Sequence, residues 1–258
     1  MTKLLDGKNA IIYGGAGGIG TGVARRFVEE GAHVFLVGRT RETLDRAAKD
    51  VGATGIAVFD ALDEAAVDQH VRDVVSEAGS VDVSLNLITR GDVQGIPLVD
   101  MTTDDLLRAT TIGLTSNFLT ARAAARQMIE QGHGVVIHLN SASGDGAMPG
   151  MGSTGPADAA VESFMRYLAA ELGPHGVRVC GIHTAGVADT LTRDKLADVD
   201  PNQDWDPAAI ERMIAGMSVM DRAPRLADVA GAATFLASDL ASGMTGSVLN
   251  ATAGLVLR

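Results

Sequence analysis

The sequence predicts an α/β fold: one doubly wound, mostly parallel sheet of seven strands with helices on both faces. Three observations carry this expectation. Short apolar runs alternate with amphipathic stretches along the chain, the pattern of strands buried on both sides and joined by crossover helices. A glycine-rich segment at 14–20 stands between the first apolar run and the first helical stretch, where a βαβ unit makes its first tight turn. The chain has 258 residues, 46% of them hydrophobic, which is ample for a core and too apolar for a disordered chain.

Taken in order, Ala10-Ile11-Ile12-Tyr13 reads as a buried strand, and a helix follows the glycine-rich loop through Glu30. His33-Val34-Phe35-Leu36-Val37 is the second strand, with a helix from near Thr43. Gly55-Ile56-Ala57-Val58-Phe59 is the third. Val81 to Ile88 gives the fourth, Gly134 to Leu139 the fifth, Arg178 to His183 the sixth and Gly246 to Asn250 the seventh. Helical patterns separate nearly all of them. No repeat, low-complexity tract or Pro/Ser linker interrupts the series, so residues 1–258 read as a single doubly wound domain. The least regular stretch, Leu191 to Arg225, carries Pro201, Trp205, Pro207 and Pro224 and reads as a candidate substrate lid.

Composition narrows the partners. Lys and Arg number 21 against 32 Asp and Glu, a formal charge of −11, which argues against a duplex nucleic-acid binder. Aromatic residues are only 3%, too few for stacking platforms on single strands. The single cysteine, Cys180, allows neither a disulfide framework nor a cysteine-based zinc site within one chain, and the six histidines lack metal-ligand spacing, so no metal is expected. Met1 to Asn9 has no long apolar stretch of the signal-peptide kind and no run approaches a membrane span. The expectation is a soluble cytoplasmic protein with a small-molecule substrate.

The loop Gly14-Gly15-Ala16-Gly17-Gly18-Ile19-Gly20 has glycine where a chain turns sharply and where backbone must approach a pyrophosphate at a helix N-terminus. A tight turn with no ligand is the plainer alternative. The second strand ends Val37-Gly38-Arg39-Thr40-Arg41. An NAD site normally offers an acid there to the ribose hydroxyls, whereas guanidinium matches a 2′-phosphate bidentately. The reading is NADP in preference to NAD, the alternative being a solvated basic turn. Asp60, after the third strand, is either an acceptor for the adenine amino group or a turn aspartate.

With these residues in view the chain resembles the short-chain dehydrogenase/reductase family nearly end to end. Gly14-xxx-Gly18-x-Gly20, Asp60, Asn86, Ser141-Ala142-Ser143-Gly144 and Thr245-Gly246 fall on its landmarks. The resemblance implies a Rossmann-type fold, a nicotinamide cofactor and a homodimer or homotetramer assembled through two long helices, near Asp104 to Gln131 and Gly155 to Leu172. It also implies a catalytic Ser, Tyr and Lys with a supporting Asn. The tyrosine gives or takes the proton, and the lysine lowers its pKa and holds the nicotinamide ribose. Ser141 matches the serine, but Thr154 stands for the tyrosine, Asp158 for the lysine and Gly113 for the asparagine. Allowing one inserted residue, Gly186 and Thr190 match a cofactor-binding glycine and threonine.

The exchanges alter the chemistry. An aliphatic hydroxyl is a far weaker acid than a phenol of pKa ~10, and a carboxylate at 158 would raise the pKa of a neighbouring acid where the family's lysine lowers it. Neither tyrosine restores the site: Tyr13 ends the first strand, and Tyr167 is turned about 140° from Thr154 around the helix. Gly155-Pro156-Ala157-Asp158 also reads as a helix start with Asp158 third, a capping role that competes with a chemical one. Ser141 reads either as a turn serine or as a catalytic group. His138 and His183 read first as satisfied core residues, although His183 approaches the crevice. Arg90 reads as a surface residue or as a partner of Asp158 or a substrate anion. Cys180 reads as a small buried hydrophobe, and Met148 and Met151 as core filler or pocket lining.

Three functions follow. The first is an atypical NADP(H)-dependent oxidoreductase acting on a small carbonyl or imine, with catalytic Ser141, Thr154 and Asp158 and non-standard proton donation. The second is a catalytically silent NADP-binding sensor or scaffold. The third is a non-redox lyase or isomerase on the same fold.

Overall fold

The computed structural model describes residues 3–199 and 204–257. Strands β1 (Asn9–Tyr13), β2 (His33–Gly38), β3 (Gly55–Val58), β4 (Val83–Asn86), β5 (Gly134–Ser141), β6 (Val177–Thr184) and β7 (Val248–Asn250) form one sheet. The order is β3-β2-β1-β4-β5-β6-β7 and every pairing is parallel. The expected seven-stranded α/β architecture is therefore present. The helices are α1 (Gly18–Glu29), α2 (Arg41–Val51), α3 (Glu64–Ala78), α4 (Thr103–Gln131), α5 (Thr154–Leu172), α6 (Arg193–Val199), α7 (Pro207–Met217) and α8 (Leu226–Ala237).

Alternation along each strand divides the core into two layers. Ile12, Leu36, Leu85, Ile137 and Ile182 face α1, α2 and α8 through Val23, Phe27, Leu44, Ala233 and Leu236. Ile11, Phe35, Val37, Val136 and Val179 face α3, α4 and α5 through Val67, Val71, Ala124, Met128, Val161 and Met165. Ile12, Leu36 and Ile137 are fully buried; truncating any of them to alanine costs about 2–5 kcal/mol.

Local chemistry sets the helix ends. The Asp63 carboxylate caps α3 by accepting from Ala66 N, and Gly79 ends it at φ +88°. Thr102 caps α4 and Gly132 ends it at φ +74°. Strand β4 is shorter than expected. The Asp82 carboxylate accepts from Asn9 N before the strand begins, and Asn86 Oδ1 accepts from Ile88 N just after it, turning the chain out of the sheet. The segment 191–225 is also more regular than expected. It holds α6 and α7, with Pro207 at the start of α7 and Asp206 capping it. Pro201 lies outside the described residues. Among the described residues no helix is long and apolar enough to cross a membrane.

The strand order reverses between β1 and β4. Tyr13 pairs with Val37 on one side and Asn86 on the other, so the loops leaving β1, β2 and β4 share the carboxyl edge of the sheet. A crevice at such a reversal is the usual ligand position in an open α/β sheet. Strands β5 and β6 end together there, with Asn140 opposite His183 and Ser141 opposite Thr184.

Candidate active site

The glycine-rich loop is packed so tightly that side chains are excluded. Gly14 has φ +76°, and a Cβ on it would lie 2.5 Å from the Leu87 carbonyl oxygen. A Cβ on Gly20 would lie 2.4 Å from the Gly14 oxygen, and one on Gly18 would lie 2.9 Å from Thr190 Cγ2. Ile19 packs at the core edge. Gly17 precedes α1 with no side chain capping it, and the first turn of α1 holds no acid. Bare first-turn amides beside a backbone cradle suit an anionic group, so these residues fit the pyrophosphate of a dinucleotide.

Arg39 and Arg41 are exposed, and neither has an ion-pair partner among the described residues. Asp60 accepts from Leu62 N at 3.0 Å, which is turn chemistry. Asn86 is buried and spends its amide on Thr120 Oγ1 and Ile88 N. Thr190 is buried against Gly18, and Lys195 Nζ of α6 donates to its hydroxyl at 3.2 Å. A Cβ on Gly186 would meet Ile214 of α7 at 2.6 Å. The 191–225 segment thus abuts both candidate cofactor residues that follow β6.

The structure brings Ser141 and Asp158 together. Ser141 Oγ donates to Asp158 Oδ2 at 2.5 Å and accepts from Ser143 N at 3.2 Å, so it serves the turn and faces the carboxylate at once. Asp158 is fully buried, and its other oxygen accepts from Arg90 Nη1 at 2.6 Å. Arg90 Nε and Nη2 donate to the two oxygens of Asp92 at 3.2 and 2.8 Å.

Two sequence readings are corrected here. Helix α5 begins at Thr154 with Ser153 before it, so Asp158 is the fifth helical residue and caps nothing; its carboxylate serves Ser141 and Arg90. Arg90 is not a surface residue, since its side chain is only 13% exposed. Burial raises the Asp158 carboxyl above its ordinary pKa, opposed by the Arg90 charge and the Ser141 and Arg90 hydrogen bonds.

Thr154 is buried and accepts from Gln94 Nε2 at 3.1 Å. Ser153 Oγ donates to the Val93 carbonyl and accepts from its amide. The loop between β4 and α4 is thereby fastened across the start of α5. Gly113 lies buried on α4, and Asn117 Nδ2 donates to its carbonyl at 2.9 Å. Tyr167 is exposed and Tyr13 is buried with no partner for its hydroxyl among the described residues.

A second polar cluster adjoins the first. His183 Nε2 lies 2.6 Å from Glu162 Oε1, and His183 Nδ1 lies 3.6 Å from Asp145. Asn140 Nδ2 donates to the Asp158 carbonyl and to Glu162, linking the clusters. Burial alone would lower the His183 pKa; the Glu162 hydrogen bond and charge outweigh it and raise it. Glu162 is held below its ordinary value by the same contact, against its own burial. Asp145, Glu162 and His183 each bring one ligand-type atom within 4.8 Å of the others, a grouping that spacing along the chain did not reveal. His138 departs from the satisfied-core expectation: it is buried, and neither ring nitrogen makes a hydrogen bond of good geometry among the described residues. Burial holds its pKa down at about 4.

The residues that sequence reasoning missed are Asp92, Gln94, Asp145 and Glu162. Asp92 and Gln94 carried one signal, their nearness in sequence to Arg90.

The chain is similar to known proteins along nearly its whole length. A family model described as enoyl-(acyl carrier protein) reductase matches residues 14–256. An uncharacterised oxidoreductase of Mycobacterium bovis is 33% identical, the match covering 98% of this chain and 99% of that protein. Gluconate 5-dehydrogenase of Gluconobacter oxydans is 29% identical, with 98% and 96% covered. The crystal structure of an NAD+-bound xylitol dehydrogenase superposes with a TM-score of 0.85 at 28% identity, covering 97% of this chain and 99% of that one. The chain belongs to the short-chain dehydrogenase/reductase family of oxidoreductases.

Proposed function

We propose that this protein is an NADP(H)-dependent oxidoreductase that transfers hydride to a small carbonyl or imine, with Asp158 and Ser141 handling the proton that the family assigns to tyrosine. The observation that carries the reading is the Ser141–Asp158 hydrogen bond at a buried carboxyl. The nicotinamide cofactor, when bound, supplies or takes the hydride. Gly14, Gly18, Ile19 and Gly20 present backbone to the pyrophosphate, and Gly186 and Thr190 close its other side. Arg39, with Arg41 beside it, takes the 2′-phosphate. The xylitol dehydrogenase of similar fold carries NAD+, but here Arg39 follows β2 directly and Arg41 comes before the first acid, Glu42, which supports NADP. Asp60 serves the adenine edge and Asn86 holds the β4 turn. Residues 191–225, with α6 and α7, form the substrate lid.

When Asp158 carries the proton, the hydrogen bond between it and Ser141 runs from the carboxyl to Ser141 Oγ, and Ser141 passes its own proton to the substrate oxygen or nitrogen as it takes that of Asp158. Burial favours the protonated carboxyl, and Arg90 steadies the carboxylate left behind. Thr154 accepts from Gln94 Nε2 and so fixes that side chain at the start of α5. An iminium substrate needs no proton at all: hydride forms the new C–H bond and the π pair of C=N returns to nitrogen.

The test is a titration with NADPH and NADH, then a carbonyl and imine panel with wild type and Asp158→Asn. NADPH should bind more tightly than NADH. Asp158→Asn should slow carbonyl reduction by about 10²–10⁴-fold, the range for a positioned acid, with NADPH affinity nearly unchanged. Absence of binding by either nucleotide overturns the reading. Binding without turnover leaves the silent sensor, which the fastening of the 93–95 loop over Thr154 also supports.

A further inference from the structure

We infer that Arg90 is the positioning cation of this site, admitted by the missing side chain at Gly113. Arg90 enters from the β4–α4 loop, its aliphatic stem lies in the space a side chain at 113 would occupy, and its guanidinium clamps the carboxylate that Ser141 touches. This deepens the reading above and rests on it for its catalytic meaning, though not for its geometry.

The geometry starts at Gly113. It lies well inside the 29-residue α4, where glycine costs about 1 kcal/mol relative to alanine. Its φ is not positive, so no backbone demand explains it. A Cβ there would sit 2.6 Å from Arg90 Cδ and 3.4 Å from Arg90 Cγ. The contact points to the arginine stem, which needs that room to reach Asp158.

The head group is fully committed. Nη1 meets Asp158 at 2.6 Å, while Nε and Nη2 form a fork on Asp92. A planar guanidinium held at both edges fixes direction as well as charge. The loop itself is pinned to α5 by Gln94 on Thr154 and by Val93 on Ser153. The exchanges at 113, 154 and 158 therefore belong to one rearrangement, in which the cation comes from the loop and the carboxylate from the helix.

Arg90 sets the state of Asp158. The groups facing that carboxyl are Arg90 and Asp92 from the loop and Ser141 from β5, with His183 on β6 and Glu162 one turn further along α5 beyond them. Arg90 and the Ser141 hydrogen bond favour the anion; burial and Asp92 oppose it. Loss of Arg90 leaves a desolvated carboxyl beside a second acid, which holds its proton to higher pH.

The experiment reads Asp158 without a substrate or nucleotide. Thermal unfolding is followed from pH 4 to 8 for wild type, Arg90→Gln, Arg90→Lys and Gly113→Asn, each with and without Asp158→Asn. The difference within each pair isolates the Asp158 titration. The destabilising arm of this difference should extend about 1–3 pH units further toward alkaline pH in Arg90→Gln and Gly113→Asn. Arg90→Lys, which keeps the charge but not the fork, should fall between wild type and Arg90→Gln. Adding Gly113→Asn to Arg90→Gln should shift it no further, since both remove the same contact. An unshifted Arg90→Gln or Gly113→Asn pair overturns the inference. If Arg90→Gln does not fold, Gly113→Asn and Arg90→Lys decide it. NADPH titration of wild type is the separate readout for the oxidoreductase reading, so either proposal can fail alone.

Discussion

The crevice has two sides built by different means. On the β1–β2 side, glycines meet backbone: a Cβ on Gly14 strikes the Leu87 carbonyl and one on Gly20 strikes the Gly14 carbonyl. At Gly14 and Gly20 nothing can yield without moving backbone, so those two positions hold glycine. On the β4–β5 side, contacts run between the ends of long side chains. Arg90 reaches Asp158 across 68 positions of sequence and Gln94 reaches Thr154 across 60. Side-chain contacts can be exchanged in concert while the backbone stays in place. The difference teaches why one half of a site can be held to fixed residues while the other can be exchanged without loss of the fold.

The contrast is broken most directly at Arg90. Arg90→Ala leaves Asp158 buried without its cation, and removing one partner of a buried pair costs about 3–5 kcal/mol. Chemical denaturation should show Asp158→Asn to be milder, because Arg90 keeps Asp92, and the double variant to be less unstable than the sum of the singles. Additive effects would mean that the two sides are equally rigid.

The next test sharpens the other side. Gly20→Ala places a methyl against the Gly14 and Gly15 backbone, an overpacking cost of about 1–3 kcal/mol. The β1–α1 turn must open to admit it, so NADPH affinity should fall by at least about tenfold. Unchanged stability and binding in Gly20→Ala would show that the cradle adapts as side chains do.

Two histidines on neighbouring strands give opposite pH responses. The His138 pKa is lowered by burial to about 4, so its neutral form is favoured in the fold. Its contribution is intact above the unfolded value near 6.5 and is lost as pH falls toward 4. The His183 pKa is raised by Glu162 and Asp145 against its burial. Its contribution is intact below 6.5 and is lost as pH rises through the folded value. Thermal midpoints of His138→Leu should lose part of the acid-side decline, and those of His183→Gln part of the alkaline-side decline. The same flank responding to both would mean that the two rings share one environment.

What the sequence disclosed follows the same division. Alternation in Ile11 and Ile12 and the glycine spacing at 14–20 are local consequences of backbone geometry, so they can be read from the chain. The start of α5 was misleading for a local reason. Pro156 suggested the first helical position, but it is the third, where the amide still has no intrahelical partner and proline is also tolerated. Gly113 carries no local sign of its purpose, because the atom it makes room for belongs to Arg90 on another element. The Glu162–His183 contact joins α5 to β6, and spacing along the chain gives no hint of it.

Arg39→Ala should have the smallest effect on stability and the most selective effect on binding. The residue is exposed after β2 and holds no ion pair among the described residues, so its removal should change stability by less than about 0.5 kcal/mol. Its effect lies in discrimination. The chain carries a net charge of −11, which opposes any polyanion, and NADPH brings one more phosphate than NADH. In the proposed NADP reading, a guanidinium at the ribose end offsets that locally and takes the extra phosphate bidentately. Calorimetry on Arg39→Ala should show NADPH affinity reduced by about tenfold, equal to about 1.4 kcal/mol, with NADH affinity held. Arg41, the first residue of α2, should share the effect more weakly, since its side chain also belongs to the helix. Equal losses for both nucleotides would make Arg39 a general attractor of anions, and no loss would move the 2′-phosphate away from the end of β2.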